Sequence, residues 1–120
     1  DHVFNVYADE KLIREVLVNL ISNAIKYGNQ NGFVHAGFYN MGDNILIEIA
    51  DNGLGIAKEH LNRVFERFFR VEKSRSRDMG GTGLGLSIVI HIVEAHNQNV
   101  NVRSTQGEGS TFGFTLQRAK

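Results

Sequence analysis

Ile45-Leu46-Ile47-Glu48-Ile49-Ala50-Asp51-Asn52-Gly53-Leu54-Gly55-Ile56 decides how the rest of the chain is read. Ile45, Ile47 and Ile49 fall on one face, the period-2 pattern of a half-buried strand. Asp51 follows the last apolar position, at the end of the strand, where an open sheet presents groups to a ligand. Gly53 and Gly55 let the backbone take positive φ and approach a neighbour without a Cβ in the way. The element can therefore hold one carboxylate at the mouth of a pocket. Taken alone, the string also fits an ordinary strand and turn, because Asp-Asn-Gly is a common loop sequence.

The bulk composition narrows the field. A chain of 120 residues is one domain, 1–120, long enough to bury a core. Thirteen basic residues balance thirteen acidic ones, so no net field draws the chain to nucleic acid or an anionic membrane. With no cysteine, disulfides and thiolate metal sites are excluded, and a reducing compartment fits. No apolar run approaches ~20 residues and no signal peptide is visible, so a soluble, cytoplasmic location is expected. Thirteen glycines and no proline mean that the turns are made by Gly and Asn. The abrupt opening on an apolar strand points to a piece of a longer protein.

On the N-terminal side of the deciding stretch, Val3 to Tyr7 reads as a short strand and Asp9 as the N-cap of a helix. Ile13, Val16, Leu17, Leu20, Ile21 and Ala24 repeat at helical spacing and form the buried stripe. Asn19, Asn23 and Lys26 fall within one narrow arc at its edge. Asn is a poor helix former, so two of them at i, i+4 beside a core face call for a reason. They are either solvated amides or bonded to a nearby loop, or they offer amide oxygens to a hard cation with Lys26 near a phosphate. Gly28 to Gly32 is a turn, and Val34 to Tyr39 pairs with Asn44 to Ala50 through a hairpin at Asn40-Met41-Gly42-Asp43.

On the C-terminal side, Leu61, Val64, Phe65 and Phe68 repeat at helical spacing, predicting a second helix over about Lys58 to Phe69. Its aromatics read as packing. Arg70 to Gly81 carries Arg70, Lys73, Arg75 and Arg77 and too little apolar surface to fold alone. It is either a solvated loop or a phosphate-facing one, since Arg suits phosphate oxygens. Gly80-Gly81-Thr82-Gly83-Leu84-Gly85-Leu86 then opens a third helix to Ala95, and a glycine run at a helix N-terminus is a ready anion site. Without G-K-[ST] the run is not a Walker A loop. Without a preceding strand or a third matching glycine it is not a Rossmann fingerprint. Val100 and Val102, a turn at Thr105 to Gly109, and Phe112, Phe114 and Leu116 make a closing hairpin.

Taken together, these elements resemble the ATP-binding catalytic domain of sensor histidine kinases, in the superfamily shared with DNA gyrase, Hsp90 and MutL. Val18-Asn19-Leu20-Ile21-Ser22-Asn23-Ala24-Ile25-Lys26-Tyr27 resembles the asparagine box, and Asp51-Asn52-Gly53-Leu54-Gly55-Ile56 the first glycine box. Phe65-Glu66-Arg67-Phe68-Phe69-Arg70 resembles the phenylalanine box, and Gly81-Thr82-Gly83-Leu84-Gly85-Leu86 the second glycine box. Gly107-Glu108-Gly109-Ser110-Thr111-Phe112 is similar to the closing glycine motif. Ala57 stands where the family often has Pro, Asn97-Gln98-Asn99 where it often turns on Gly-Gly, and Gly28 where a small hydroxyl residue is common. Asn tolerates left-handed φ, so the turn at Asn97 can survive.

The resemblance implies a two-layer α/β sandwich of the Bergerat type, a mixed, mostly antiparallel sheet with three helices on one face. It implies ATP and Mg²⁺ as ligands. Asp51 would accept from the adenine amino group and Tyr27 would pack near the adenine ring, with Gly53, Gly55, Ile56 and Thr111 also in the ATP-binding set. Asn23, with Asn19 nearby, would hold Mg²⁺. Lys26 and Arg70 would bond phosphate oxygens, Gly81, Gly83 and Gly85 would let the backbone close over the triphosphate, and Thr82, Leu84 and Leu86 would also bind ATP. The γ-phosphoryl would pass to a histidine on a separate dimerisation and phosphotransfer domain, then to a response regulator's receiver domain. Neither partner is a nucleic acid. The fragment would be monomeric, and the full protein homodimeric and anchored in the bacterial inner membrane. Gyrase-like members carry a Glu where Asn19 stands, and Asn cannot act as a general base for water. A serine kinase on the same fold and an ATP-gated binding module without transfer chemistry stay open as alternatives.

Overall fold

The computed structural model describes residues 5–28, 31–66 and 85–119. In chain order these form β1 (Val6–Tyr7), α1 (Glu10–Lys26), β2 (Val34–Asn40), β3 (Asn44–Asp51), α2 (Gly85–Ala95), β4 (Val100–Thr105) and β5 (Gly109–Arg118). β5 is the hub of the sheet. It pairs along one edge with β3, and its other edge is shared by β4 and β1, while β2 closes the far side of β3. Every pairing among the described residues is antiparallel, so the expected mixed character is not seen there.

The core follows from alternation. Ile45, Ile47 and Ile49 on β3 stand in register with Leu116, Phe114 and Phe112 on β5. All six are buried, and they form one cluster with Val16, Leu20 and Ala24 of α1 and Val89, Ile92 and Val93 of α2. Facing residues of an antiparallel ladder share a face, so these side chains make one apolar floor beneath two adjacent helices. Phe114 is fully buried at its centre, and burying a Phe side chain contributes ~1.5–3 kcal/mol by area alone. The predicted stripe of α1 holds except at Ile21, which is 38 % exposed and lies toward the helix's outer side with Val18 and Ile25.

Helix ends behave as their residues dictate. The Asp9 carboxylate accepts from the Leu12 amide at 3.0 Å, capping α1. α2 ends on Asn97 at φ 60°, with Gln98 N–H donating to the Val93 carbonyl and Asn97 N–H to that of Glu94. That pair of bonds is a Schellman motif, with Asn in the left-handed place that Gly usually fills. His96 then joins the two helices. Its Nδ1 lies 2.9 Å from the Ile92 carbonyl, and its Nε2 accepts from the Asp9 amide at 3.1 Å.

The helix expected over 58–69 is not formed in its described part. Lys58–His60 is a single 3₁₀ turn, and successive turns carry the chain to Glu66. Leu61, Arg63 and Glu66 each donate to the carbonyl three residues back, and Ala57 offers no side-chain cap. Bonds of that kind wind the backbone tighter than an α-helix. Val64 still reaches the core and Phe65 meets Phe112 edge-on at 6.0 Å, so the apolar spacing marked packing but not helix type. Two α-helices therefore stand where three were expected, among the described residues; Phe68 lies outside them.

On the other sheet face, Glu48 is nearly buried and lies 3.1 Å from the Arg103 guanidinium. The contact is an ion pair, but its buried oxygen makes no aligned hydrogen bond, and Arg103 is mostly exposed. Such a pair is worth at most ~1 kcal/mol.

Candidate functional site

Asp51 is the last residue of β3, flanked by Val34 on β2 and Ser110 on β5. Residues facing one another across a ladder share a sheet face, so Asp51 lies on the helix-covered side with Ser110. Its Oδ1 accepts from the Gly53 amide at 2.8 Å, which fixes the carboxylate's rotamer and leaves the other oxygen as an acceptor.

The loop after Asp51 is wedged between two elements. Leu54 N–H donates to the Tyr27 carbonyl at the end of α1, at 3.0 Å, and the Leu54 carbonyl accepts from Gly107 N–H at 2.7 Å. Ile56 N–H donates to Ser104 Oγ at 2.7 Å. A Cβ on Gly53 would collide with the Tyr27 carbonyl and Gly28, and one on Gly55 with the Thr105 carbonyl. Gly55 also stands at φ 72°, which side chains rarely adopt. Both glycines are therefore required by close approach and not merely by a turn. Nearby, Asn52 Oδ1 accepts from Phe33 N–H at 2.8 Å, tying the start of the β2 region to the same loop.

The helices supply the other side. The Asn19 amide donates to the Glu15 carbonyl one turn back at 2.9 Å, which turns its Oδ1 outward. A Cβ on Gly85 would lie 3.1 Å from that oxygen, so the N-terminal residue of α2 sits against Asn19. Free N–H groups at a helix start favour anions. Asn23 and Lys26 are half-buried on the same helix, and half-buried Tyr27 is its C-cap. One rim thus carries amide oxygens, a cation and a helix N-terminus, and the floor carries Asp51.

Other predicted residues fall as follows. Ile56 and Leu86 are partly buried against the core. Thr111 pairs with Ala50 and Arg103, so it lies on the sheet face away from the helices, and Ser110 is the hydroxyl residue level with Asp51. Arg70, Gly81, Thr82, Gly83 and Leu84 lie outside the described residues. The pattern did not reveal Ser104 or the close seat of Gly109 against the Asp51 backbone. A groove of about 630 Å³ lies at the opposite end of the sheet, lined by Gly42, Asp43, Asn44, Gln98, Gln117, Arg118 and Ala119. It gathers no convergent set of reactive groups and is far from Asp51 along β3, so the geometry of the Asp51 end carries more weight.

Residues 8–120 match the family model described as histidine kinase-, DNA gyrase B-, and HSP90-like ATPase. The chain is 47 % identical over 113 residues to the sensor-like histidine kinase SenX3 of Mycolicibacterium smegmatis, covering 94 % of this chain and 29 % of that protein. It is 42 % identical over 118 residues to the sensor histidine kinase WalK of Bacillus subtilis, covering 97 % of this chain and 19 % of that protein. Among solved structures, the mycobacterial sensor histidine kinase MprB superposes with a TM-score of 0.84 at 31 % identity, over 94 % of this chain and 76 % of that one. Full-length ShkA in complex with AMPPNP gives 0.77 at 30 % identity, over 98 % and 24 % of the two chains.

This chain belongs to the histidine kinase-, DNA gyrase B- and HSP90-like ATPase family. Within that family it is similar to the sensor histidine kinases SenX3 and WalK, of whose length it spans 29 % and 19 %.

Proposed function

We propose that this chain is the ATP-binding catalytic domain of a two-component sensor histidine kinase. It binds ATP between the α1–α2 rim and the Asp51 floor, and donates the γ-phosphoryl to a histidine on a dimerisation and phosphotransfer domain. The phosphoryl then goes to the receiver domain of a response regulator. The observation that carries this reading is the placement of Asp51, locked by Gly53, below the rim where Asn19 meets the start of α2.

The fixed carboxylate accepts from the exocyclic amino group of adenine, a charge-assisted bond that a keto-bearing base cannot make. The N-terminus of α2 faces the phosphates, and Lys26 and Arg70 neutralise their charge. Asn23, with Asn19 beside it, offers neutral oxygen ligands. Among the described residues no three His, Asp or Glu are grouped to hold a metal. That donor set suits Mg²⁺ carried in on a polyphosphate, since Mg²⁺ takes few protein oxygens and keeps phosphate and water ligands. Bound there, Mg²⁺ would draw charge from the β- and γ-oxygens. The chain's own part is orientation. Asn19 provides no base to activate water, which preserves the phosphoryl group for a histidine.

The described histidines are poor acceptors. His35 is on an edge strand, His60 closes the 3₁₀ turn, His91 is exposed on α2, and His96 is engaged with both helices. In this reading the acceptor belongs to another domain. Among the described residues no helix is long and apolar enough to cross a membrane, so anchoring in the inner membrane would fall to other parts of a longer, homodimeric protein.

The test mixes this chain, Mg-ATP and a dimerising helical fragment bearing an acceptor histidine. Acid-labile label on that histidine is expected, lost in Asn23→Ala. Acid-stable label on a serine, or undiminished transfer by Asn23→Ala, would overturn the reading.

A further inference from the structure

Among the described residues three bonds tie residues 54–56 to their surroundings, and two of them join main chain to main chain. The third is made by the Ser104 hydroxyl on β4, and its environment is unusually complete. Ser104 Oγ accepts from Ile56 N–H at 2.7 Å, lies 2.9 Å from the Gly109 carbonyl and 2.8 Å from Ser110 Oγ. A carbonyl can only accept, so the Ser104 proton goes to Gly109. The Ser110 proton must then go to Ser104. One donor and two acceptor positions are filled, the whole capacity of a hydroxyl.

That arrangement connects places otherwise distant in sequence. Gly109 seats its Cα against the backbone of Asp51 and Asn52, Ser110 stands in register with Asp51, and Ile56 closes the glycine loop. Beside the main-chain bond from Gly107 to Leu54, the Ser104 oxygen thus helps set the distance between the β4–β5 turn and the loop that follows the carboxylate. We infer that Ser104 is a positioning residue for the nucleotide floor: it holds the Asp51 to Ile56 loop in its binding conformation without touching the ligand. This inference rests on the proposed nucleotide site for its consequence in affinity, but its structural half does not depend on ATP.

Ser104→Ala removes the acceptor of a partly buried N–H and releases the Gly109 carbonyl and the Ser110 hydroxyl. Ser104→Cys keeps the volume but is a weak acceptor, and Ser104→Thr keeps the oxygen. Amide exchange without ligand is read at Ile56, with Asn101 and Arg103 of β4, whose N–H groups face β5 in the ladder, as internal reference. The Ile56 amide is expected to exchange about tenfold faster in the Ala and Cys variants, with the β4 references unchanged, and to recover in Ser104→Thr. Affinity for a non-hydrolysable ATP analogue, by calorimetry, is expected to fall about tenfold in Ala and Cys and to return in Thr.

Uniform loosening of Ile56 and the β4 references in the Ala and Cys variants would assign Ser104 to hairpin stability and overturn the positioning role. So would an unprotected Ile56 amide in the unaltered protein, a reading that stands even if every variant misfolds. Faster Ile56 exchange with unchanged analogue affinity would remove the link to binding. If the unaltered protein binds no analogue while Ile56 follows the oxygen as expected, the nucleotide reading fails and the clamp on the loop survives.

Discussion

The two ends of β3 are built from similar material and held very differently. At the Asn44 end the chain turns through Asn40 to Asp43, where Gly42 stands at φ 90° with nothing within 4 Å of a Cβ built on it. At the Asp51 end Gly53, Gly55 and Gly109 each lie against backbone that a Cβ would strike. A glycine at the first end answers a local turn. Those at the second end answer contacts with α1 and the β4–β5 hairpin. Rigid placement of one carboxylate needs the second kind, because packed main chain has no rotamers to escape into.

The largest expected effect follows from this contrast. Gly55→Ala meets the Thr105 carbonyl and a disfavoured φ together, and should cost ~3 kcal/mol or more in stability. Gly42→Ala carries only the φ penalty and should cost ~1 kcal/mol. Urea denaturation of both proteins, compared at equal slope, measures the difference; equal losses would erase the distinction between the two ends.

Asp51→Asn comes next. The amide can turn its NH₂ toward the adenine amino group and loses the charge, so affinity for ATP should fall by ~1.5–3 kcal/mol with the fold intact. Calorimetry beside circular dichroism checks it, and unchanged affinity would move the base elsewhere. A smaller effect is expected of Asn97→Gly. Gly enters the left-handed C′ position without a Cβ, so stability should rise by a few tenths to ~1 kcal/mol. A loss of stability in thermal unfolding would mean that the Asn side chain contributes more than its tolerance of positive φ.

Much of this was legible because it is local or periodic. The isoleucines of β3 and the Phe-Phe-Leu alternation of β5 fixed which face is buried, and Asp9 marked where α1 begins. The turn at Asn97-Gln98-Asn99 was readable as one that survives without glycine, because tolerance of left-handed φ belongs to Asn itself. The failures share another cause. Leu61, Val64 and Phe65 have helical spacing, but an uncapped, i→i+3-bonded path buries Val64 and Phe65 just as well. Ile21 fits the apolar stripe of α1 yet is 38 % exposed, beside the more exposed Val18 and Ile25. Ser104 is forty-eight residues from Ile56, and nothing in its own neighbourhood of sequence announces that bond. The face occupied by Thr111 depends on register with β3 and β4, which the motif alone does not specify.

Amide exchange with and without Mg²⁺ and a non-hydrolysable ATP analogue tests the contrast most directly, since it reads both ends of β3 in one sample. Slower exchange is expected at Gly53 to Ile56 and at the first turn of α2, with Met41 to Asn44 unchanged. Protection confined to Met41 to Asn44, or no change at either end, would contradict the assignment of the Asp51 end as the nucleotide site.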